Sequence, residues 1–326
     1  MFAATTGKAE VCKVLVENGS PIDQETQLDT TNEFYKFPMG REKIEVRGST
    51  ALICSIASFQ DHVSQLFLRQ CNAQPEYEDQ YGRTVLMAAV AADNLSIIKE
   101  LCYAKANPNR MTEKHITALI HAGRENKPRA VATLRQMGAD TGVESQRYGT
   151  ALMAAAEEGN VEALDALVDG EVVFDGVDRE SRRGMTALTS ACKSDDPKLV
   201  QQLLFHKADI NKGTRYDETP MDMCVLFKSM KALKYLINAK ANPDRLNRYG
   251  LTTTQTAMRI GDKDLITDLV LAYRPTLREQ KRIELLSKPV HNTKDLAMVE
   301  MNEYSEAFYK EHDRMWGPNT GYESLI

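Results

Sequence analysis

Thr150–Asn160 reads TALMAAAEEGN: a threonine, a small residue and a leucine opening an alanine-rich run that stops at Gly159. The same opening stands at Thr50-Ala51-Leu52, Thr117-Ala118-Leu119 and Thr186-Ala187-Leu188, and in looser form at Thr84-Val85-Leu86 and Thr219-Pro220-Met221. With Thr252 included, these threonines are separated by 34, 33, 33, 36, 33 and 33 residues. A period of that size predicts a row of stacked helical repeats, each too small to bury its own apolar surface.

Two further landmarks keep the phase. Glycine or aspartate stands nine residues after the threonine at Asp93, Gly159, Asp195 and Gly261. An apolar pair follows at Phe67-Leu68, Leu101-Cys102, Leu167-Val168, Leu203-Leu204, Leu236-Ile237 and Leu269-Val270. The threonine hydroxyl is expected to cap a first helix. Alanines such as Ala88-Ala89 and Ala154-Ala155-Ala156 let neighbouring helices approach, Gly159 or Gly261 turns the chain, and a second helix carries the pair inward. Turn-rich tails come next: AKANPN (Ala104–Asn109), MGADT (Met137–Thr141), HKADIN (His206–Asn211) and AKANPD (Ala239–Asp244).

Taken together, the pattern resembles the ankyrin repeat: a Thr-Pro-Leu-His start, two antiparallel helices and a loop projecting sideways. The resemblance covers residues 1–275. It implies an all-α fold of helix-turn-helix repeats with protruding hairpin loops, an ankyrin-type solenoid, and leaves 276–326 as a helical C-terminal extension. The family's histidine is replaced throughout, by Ile53, Met87, Ile120, Met153, Thr189, Asp222 and Gln255, and only Pro220 keeps the proline. The hydrogen bonding that the family builds around that histidine is therefore expected to be missing. With Gly7 at the ninth position, the first copy is a repeat whose first helix is cut short, giving about eight repeats. Thr252-Thr253-Thr254 has lost the leucine, and its polarity suits the outer face of a terminal repeat.

Composition narrows the function classes. Charged residues at 27% and apolar ones at 42% argue against wholesale disorder. The net charge of −5 has the wrong sign for a nucleic-acid binder. The longest apolar run, Val85–Ala92, falls far short of the ~20 residues of a membrane span. No signal peptide is expected from MFAATTGKAEV. Six separated cysteines without a Cys-x-x-Cys pair suit reduced, buried thiols in the cytoplasm. There is no phosphate loop, His-Glu-x-x-His, Gly-x-Ser-x-Gly or metal-spaced cluster. Catalysis, cofactors, metals and a small-molecule substrate are accordingly not expected. Glu157-Glu158 and Asp195-Asp196 fall in helix–helix turns and read as solvated charge.

The loop tips before the threonines carry the candidate binding residues. Tyrosine returns at Tyr81, Tyr148, Tyr216 and Tyr249, and arginine at Arg83, Arg147, Arg182, Arg183, Arg215 and Arg248. Stacked repeats would place them about 10 Å apart, and both residue types are enriched at binding hot spots. These loop stretches are net positive, so the remainder is more acidic than the whole, a distribution suited to an acidic protein partner. Tyr-Gly as ordinary turn chemistry is the competing reading.

An insertion near residues 24–48 contains FYKFPMG, whose Phe34, Tyr35 and Phe37 either anchor a partner or cover the first repeat. Disorder is expected for Gln24–Asn32. Beyond Pro275, Thr293–Trp316 has the apolar spacing of an amphipathic helix. The expected function is a non-catalytic protein–protein interaction scaffold that uses loop tips and a concave groove. The alternative is a substrate-recruiting or regulatory subunit of an enzyme complex, acting through the C-terminal extension.

Overall fold

The structure is a computed structural model that describes residues 2–24, 36–39, 42–45, 50–79, 82–168, 176–261, 265, 266 and 269, the segments 36–39 and 42–45 as backbone only. The extension 276–326, the anticipated disorder after Gln24, and Phe34, Tyr35 and Tyr81 lie outside the described residues. The chain forms two compact units, Met1–Gly176 and Val177–Ile326.

In the first unit five helical hairpins follow one another. They are α1 (Phe2–Thr5) with α2 (Ala9–Glu17), α3 (Ala51–Ala57) with α4 (Asp61–Arg69), α5 (Val85–Ala91) with α6 (Leu95–Tyr103), α7 (Ala118–Arg124) with α8 (Pro128–Gln136), and α9 (Ala151–Glu158) with α10 (Val161–Val168). First helices pack on first helices, α1 on α3, α3 on α5, α5 on α7 and α7 on α9. Second helices do likewise from α2 to α10. The second unit repeats the scheme with α11 (Ala187–Ser194) and α12 (Pro197–Phe205), α13 (Pro220–Leu226) and α14 (Met230–Asn238), and α15 (Thr253–Ile260). Between α2 and α3, β1 (Lys36–Met39) pairs antiparallel with β2 (Glu42–Glu45), Phe37 opposite Ile44. The insertion thus contains a strand hairpin that periodicity did not announce.

The threonines do what their chemistry predicts. Each of the seven is an extended N-cap whose hydroxyl accepts the backbone N–H three residues on, at 3.2–3.5 Å. The ninth position is left-handed in all eight copies. Gly7, Phe59, Asp93, Asn126, Gly159, Asp195, Lys228 and Gly261 have φ between 51° and 83°. The backbone turn is therefore fixed by the fold even where the residue is not the glycine that takes it without strain. Of each apolar pair, the first member is buried, while Leu68, Cys102, Leu204 and Ile237 stay half-exposed. Successive helical residues point about 100° apart, so the first aims more directly at the core, although Val168 is buried beside Leu167.

Close helix approach is visible at Gly123 in α7. A Cβ there would sit 2.9 Å from the Ala151 carbonyl oxygen and 3.6 Å from the Ala155 Cβ. Ala154, Ala155 and Ala156 are fully buried, so larger side chains would push α7 and α9 apart.

The position of the absent family histidine is handled in two ways. In the first unit, Ile53, Met87, Ile120 and Met153 are packed into the core. In the second, Thr189, Asp222 and Gln255 each accept the backbone N–H of their capping threonine, at 2.8, 2.8 and 3.1 Å. These are reciprocal capping boxes. The expectation of a polar outer face on the last copy is corrected. Thr253, Gln255 and Thr256 point inward and are buried, because each finds a partner there: Thr253 Oγ1 donates to Asp222 Oδ1 at 2.6 Å, and Thr256 Oγ1 to the Thr252 carbonyl at 3.1 Å.

Candidate functional site

The loops that precede the first helices are held in place by a polar ladder. Asn109 Oδ1 accepts from the Asp140 backbone N–H at 2.6 Å, Asp178 Oδ1 from Asp209 at 2.9 Å, and Asn211 Oδ1 from Asn242 at 2.7 Å. Each bond joins residues 31 apart, one repeat to the next. A second set runs 34 residues back: Lys212 Nζ donates to the Asp178 carbonyl and Arg245 to that of Asn211, both at 2.6 Å. Backbone N–H groups unsatisfied in one turn are thus met by its neighbour.

The helix turns are tied similarly. Asp195 Oδ1 accepts from the N–H groups of Lys231 and Ala232 at 2.8 and 3.1 Å, and Asp196 caps α12 through the Lys198 N–H at 2.9 Å. Asp195 and Asp196, read from sequence as solvated charge, are therefore structural acceptors. Glu158 likewise has a partner, Arg124 at 3.5 Å. The signal for this was present in the sequence, since Asp195 and Asn126 share the phase of Gly159.

The predicted loop residues divide by role. Arg83 is bound inside its own turn: its guanidinium meets the buried Asp79 carboxylate at 2.6 Å, and its N–H donates to the same side chain at 2.9 Å. That geometry shapes the loop. Arg147 is exposed, and its guanidinium lies 5.2 Å from the ring centre of half-buried Tyr148. Arg124 of α7, which sequence reading missed, covers the same ring at 4.2 Å. In the second unit, Arg248 lies 4.4 Å over Tyr216 and 5.2 Å from Tyr249. Arg182, Arg215 and Arg248 are exposed and Arg183 is half-buried. The loops of this unit are stitched by backbone bonds, Arg215 N–H to the Gly184 carbonyl at 3.2 Å and Arg248 N–H to that of Tyr216 at 3.0 Å. Gly184 must lack a side chain, because a Cβ would run into the Arg215 backbone.

Behind the second unit's loops sit two buried carboxyls. Burial pushes Glu218 up to about 7, against the favourable hydrogen bond from Thr214 Oγ1 at 3.2 Å. Burial also pushes Asp222 up to about 6, although Thr253 and Thr219 donate to it. In the first unit, desolvation and the cations of Arg124, Arg83 and Lys127 push His121 down to about 4. Cys12, Cys54, Cys192 and Cys224 are buried free thiols, and burial lifts Cys54 to about 12. Among the described residues no cluster of three or more His, Cys, Asp or Glu side chains is arranged to hold a metal ion. None of the described helices is long and apolar enough to cross a membrane.

Profiles of the family described as "Ankyrin repeats (3 copies)" match residues 1–112, 57–144 and 119–214. The chain belongs to the ankyrin-repeat family. Among solved structures it is similar to the ankyrin repeat domain of Bcl-3, a member of the IkappaB protein family, with a TM-score of 0.59 and 19% identity over 68% of this chain and 98% of that one. This likeness concerns the fold. Among curated proteins it is 26% identical over 192 residues to an L-asparaginase of Dirofilaria immitis, covering 56% of this chain and 32% of that protein. It is also 26% identical over 186 residues to an ankyrin repeat and KH domain-containing protein of Caenorhabditis briggsae, covering 56% of this chain and 7% of that protein. The chain therefore spans less than a third of the length of these curated relatives. Fold and family together mark it as a protein–protein interaction module.

Proposed function

We propose that the chain is a non-catalytic scaffold that holds an acidic protein partner on its loop tips and the adjoining groove. The observation that supports this reading is the placing of the Arg147 guanidinium over Tyr148 and of Arg248 over Tyr216, in loops braced by their own turn in the first case and by the neighbouring repeat in the second. Helix leucines and alanines are consumed as core, so the exposed chemistry is concentrated at these loops and the adjoining first-helix ends. Stacked arginine keeps donors for carboxylates, loses little further side-chain freedom on binding, and suits an interface anchor.

Replacing Arg147, Arg183, Arg215 and Arg248 together by glutamate is expected to abolish partner capture from cell extract while helical circular dichroism stays intact. Unchanged capture would remove the loop tips from the interface. Capture by residues 1–275 alone, equal to that by the full chain, is the further expectation. Loss on that truncation would favour action through the C-terminal extension.

A further inference from the structure

Two stretches of the first unit meet at the Tyr148 ring, with a third close by. Arg83 ends the loop before α5, Arg124 closes α7 and Lys127 caps α8, while Arg147 and Tyr148 belong to the loop before α9. Arg124 and Arg147 lie over the Tyr148 ring at 4.2 and 5.2 Å. The positive charges of Arg124, Arg83 and Lys127 all act on His121 and help to lower its pKa. Asp79 answers Arg83 at 2.6 Å, and Glu158 reaches Arg124 only at 3.5 Å. Arg124 Nε is a buried donor with no hydrogen-bond partner. Lys127 and Arg147 have no carboxylate partner among the described residues. The surface therefore combines surplus positive charge with an aromatic ring, on a chain whose overall charge is −5.

We propose that Arg124, Arg147 and Tyr148, flanked by Lys127 and Arg83, capture a carboxylate-rich peptide segment of the partner protein. A guanidinium beside a ring keeps N–H groups on its outer edge, and a carboxylate takes two parallel N–H bonds from such an edge. Glu158 then acts as an internal stand-in, holding Arg124 loosely until a better-placed carboxylate displaces it. A carboxylate matches the paired N–H edge of a guanidinium, and a nucleic-acid strand is the alternative that the probes below distinguish. This inference rests on the scaffold reading and narrows it to one unit and one chemistry.

The test uses the full chain and three labelled probes followed by fluorescence anisotropy: deca-glutamate, deca-lysine and single-stranded deca-thymidylate. Deca-glutamate is expected to bind best and to weaken with added salt. Arg124→Gln with Arg147→Gln should weaken it about tenfold, whereas Arg215→Gln with Arg248→Gln, in the other unit, should leave it within about twofold. Arg147→Gln alone changes only an exposed side chain, so its partial loss cannot be blamed on misfolding. The His121 imidazole, followed by nuclear magnetic resonance, should titrate higher when deca-glutamate is bound, because the ligand offsets the surrounding cations.

Equal or tighter binding of deca-thymidylate overturns the proposal in favour of a phosphate ligand. Deca-glutamate binding that ignores Arg124 and Arg147, or leaves His121 unmoved, overturns the location. Should deca-glutamate fail while partner capture still depends on the loop arginines, this inference falls and the scaffold reading stands. Capture indifferent to all of these arginines removes both.

Discussion

The two units finish the same helix start differently. In the first, the position three residues after the threonine is Ile53, Met87, Ile120 or Met153, and the side chain is packed away. In the second it is Thr189, Asp222 or Gln255, and the side chain returns a hydrogen bond to the threonine N–H. Asp222 goes further, accepting Thr253 of the next copy at 2.6 Å. One backbone design is thus stabilised by volume in one unit and by polar satisfaction in the other. The helix starts of the first should be sensitive to size, those of the second to charge and pH.

The largest expected effect is Asp222→Ala. It strands the Thr219 N–H and the Thr253 hydroxyl in a buried site, and should destabilise the second unit by about 3 kcal/mol. Urea unfolding followed by hydrogen exchange in α14 measures it. A loss below about 1 kcal/mol would show that this unit does not depend on its polar caps.

Ala155→Leu probes the first unit. The α7–α9 contact has no room for a leucine, so a loss of about 2 kcal/mol is expected, read as a lower melting temperature. A neutral outcome would mean that the close approach at Gly123 yields easily, and the contrast in size sensitivity would disappear.

The pH dependence should run in opposite directions. Glu218 and Asp222 titrate at about 7 and about 6 when folded, above their ordinary values of 4.5 and 3.8. Between about pH 4 and pH 7 the folded second unit therefore holds protons that the unfolded chain has released. Its stabilisation is full below about pH 4 and is lost as the pH rises towards 7. His121 is the reverse, about 4 when folded against an ordinary 6.5. The folded first unit refuses a proton that the unfolded chain accepts, so it weakens as pH falls from about 6.5 to 4. Protection factors in α9 and α13 at pH 4.5 and 7 compare the two. Asp222→Asn with Glu218→Gln should flatten only the second profile. Parallel slopes would break the contrast.

The smallest effect is common to both units. Phe59 and Lys228 occupy the left-handed ninth position, and replacing either by glycine should stabilise by about 0.5 kcal/mol, relief of strain exceeding the added chain entropy. A loss at one site and a gain at the other would show that Phe59 or Lys228 makes a compensating contact.

Much of the fold was legible in the sequence because it is local and repeated. A threonine that caps, a residue that turns left-handed and a leucine that faces inward are each chosen by their immediate neighbours, and the 33-residue period copies the choice. The terminal threonines were misread because their polarity was taken to mean exposure. Thr253 is buried since Asp222, 31 residues earlier, is there to receive it. The proposed binding residues were half legible: Arg147 and Tyr148 in one unit and Tyr216 and Arg248 in the other were marked by recurrence, but Arg124 carried no sequence mark. Arg83, equally recurrent, serves its own turn through Asp79.

The amino-acid sequence alone determined the repeat, its two-helix hairpin, its caps and its turns, because those follow from hydrogen bonding and steric preference within a few residues. Tertiary structure decided which side chains one repeat apart would meet, and which charges would be taken out of water. Asn109 finds Asp140, Arg124 finds Tyr148, and Glu218 and Asp222 become proton-holding carboxyls only when neighbouring repeats close over them. Desolvation and pairing belong to the surroundings of a residue, and stacking is what supplies those surroundings.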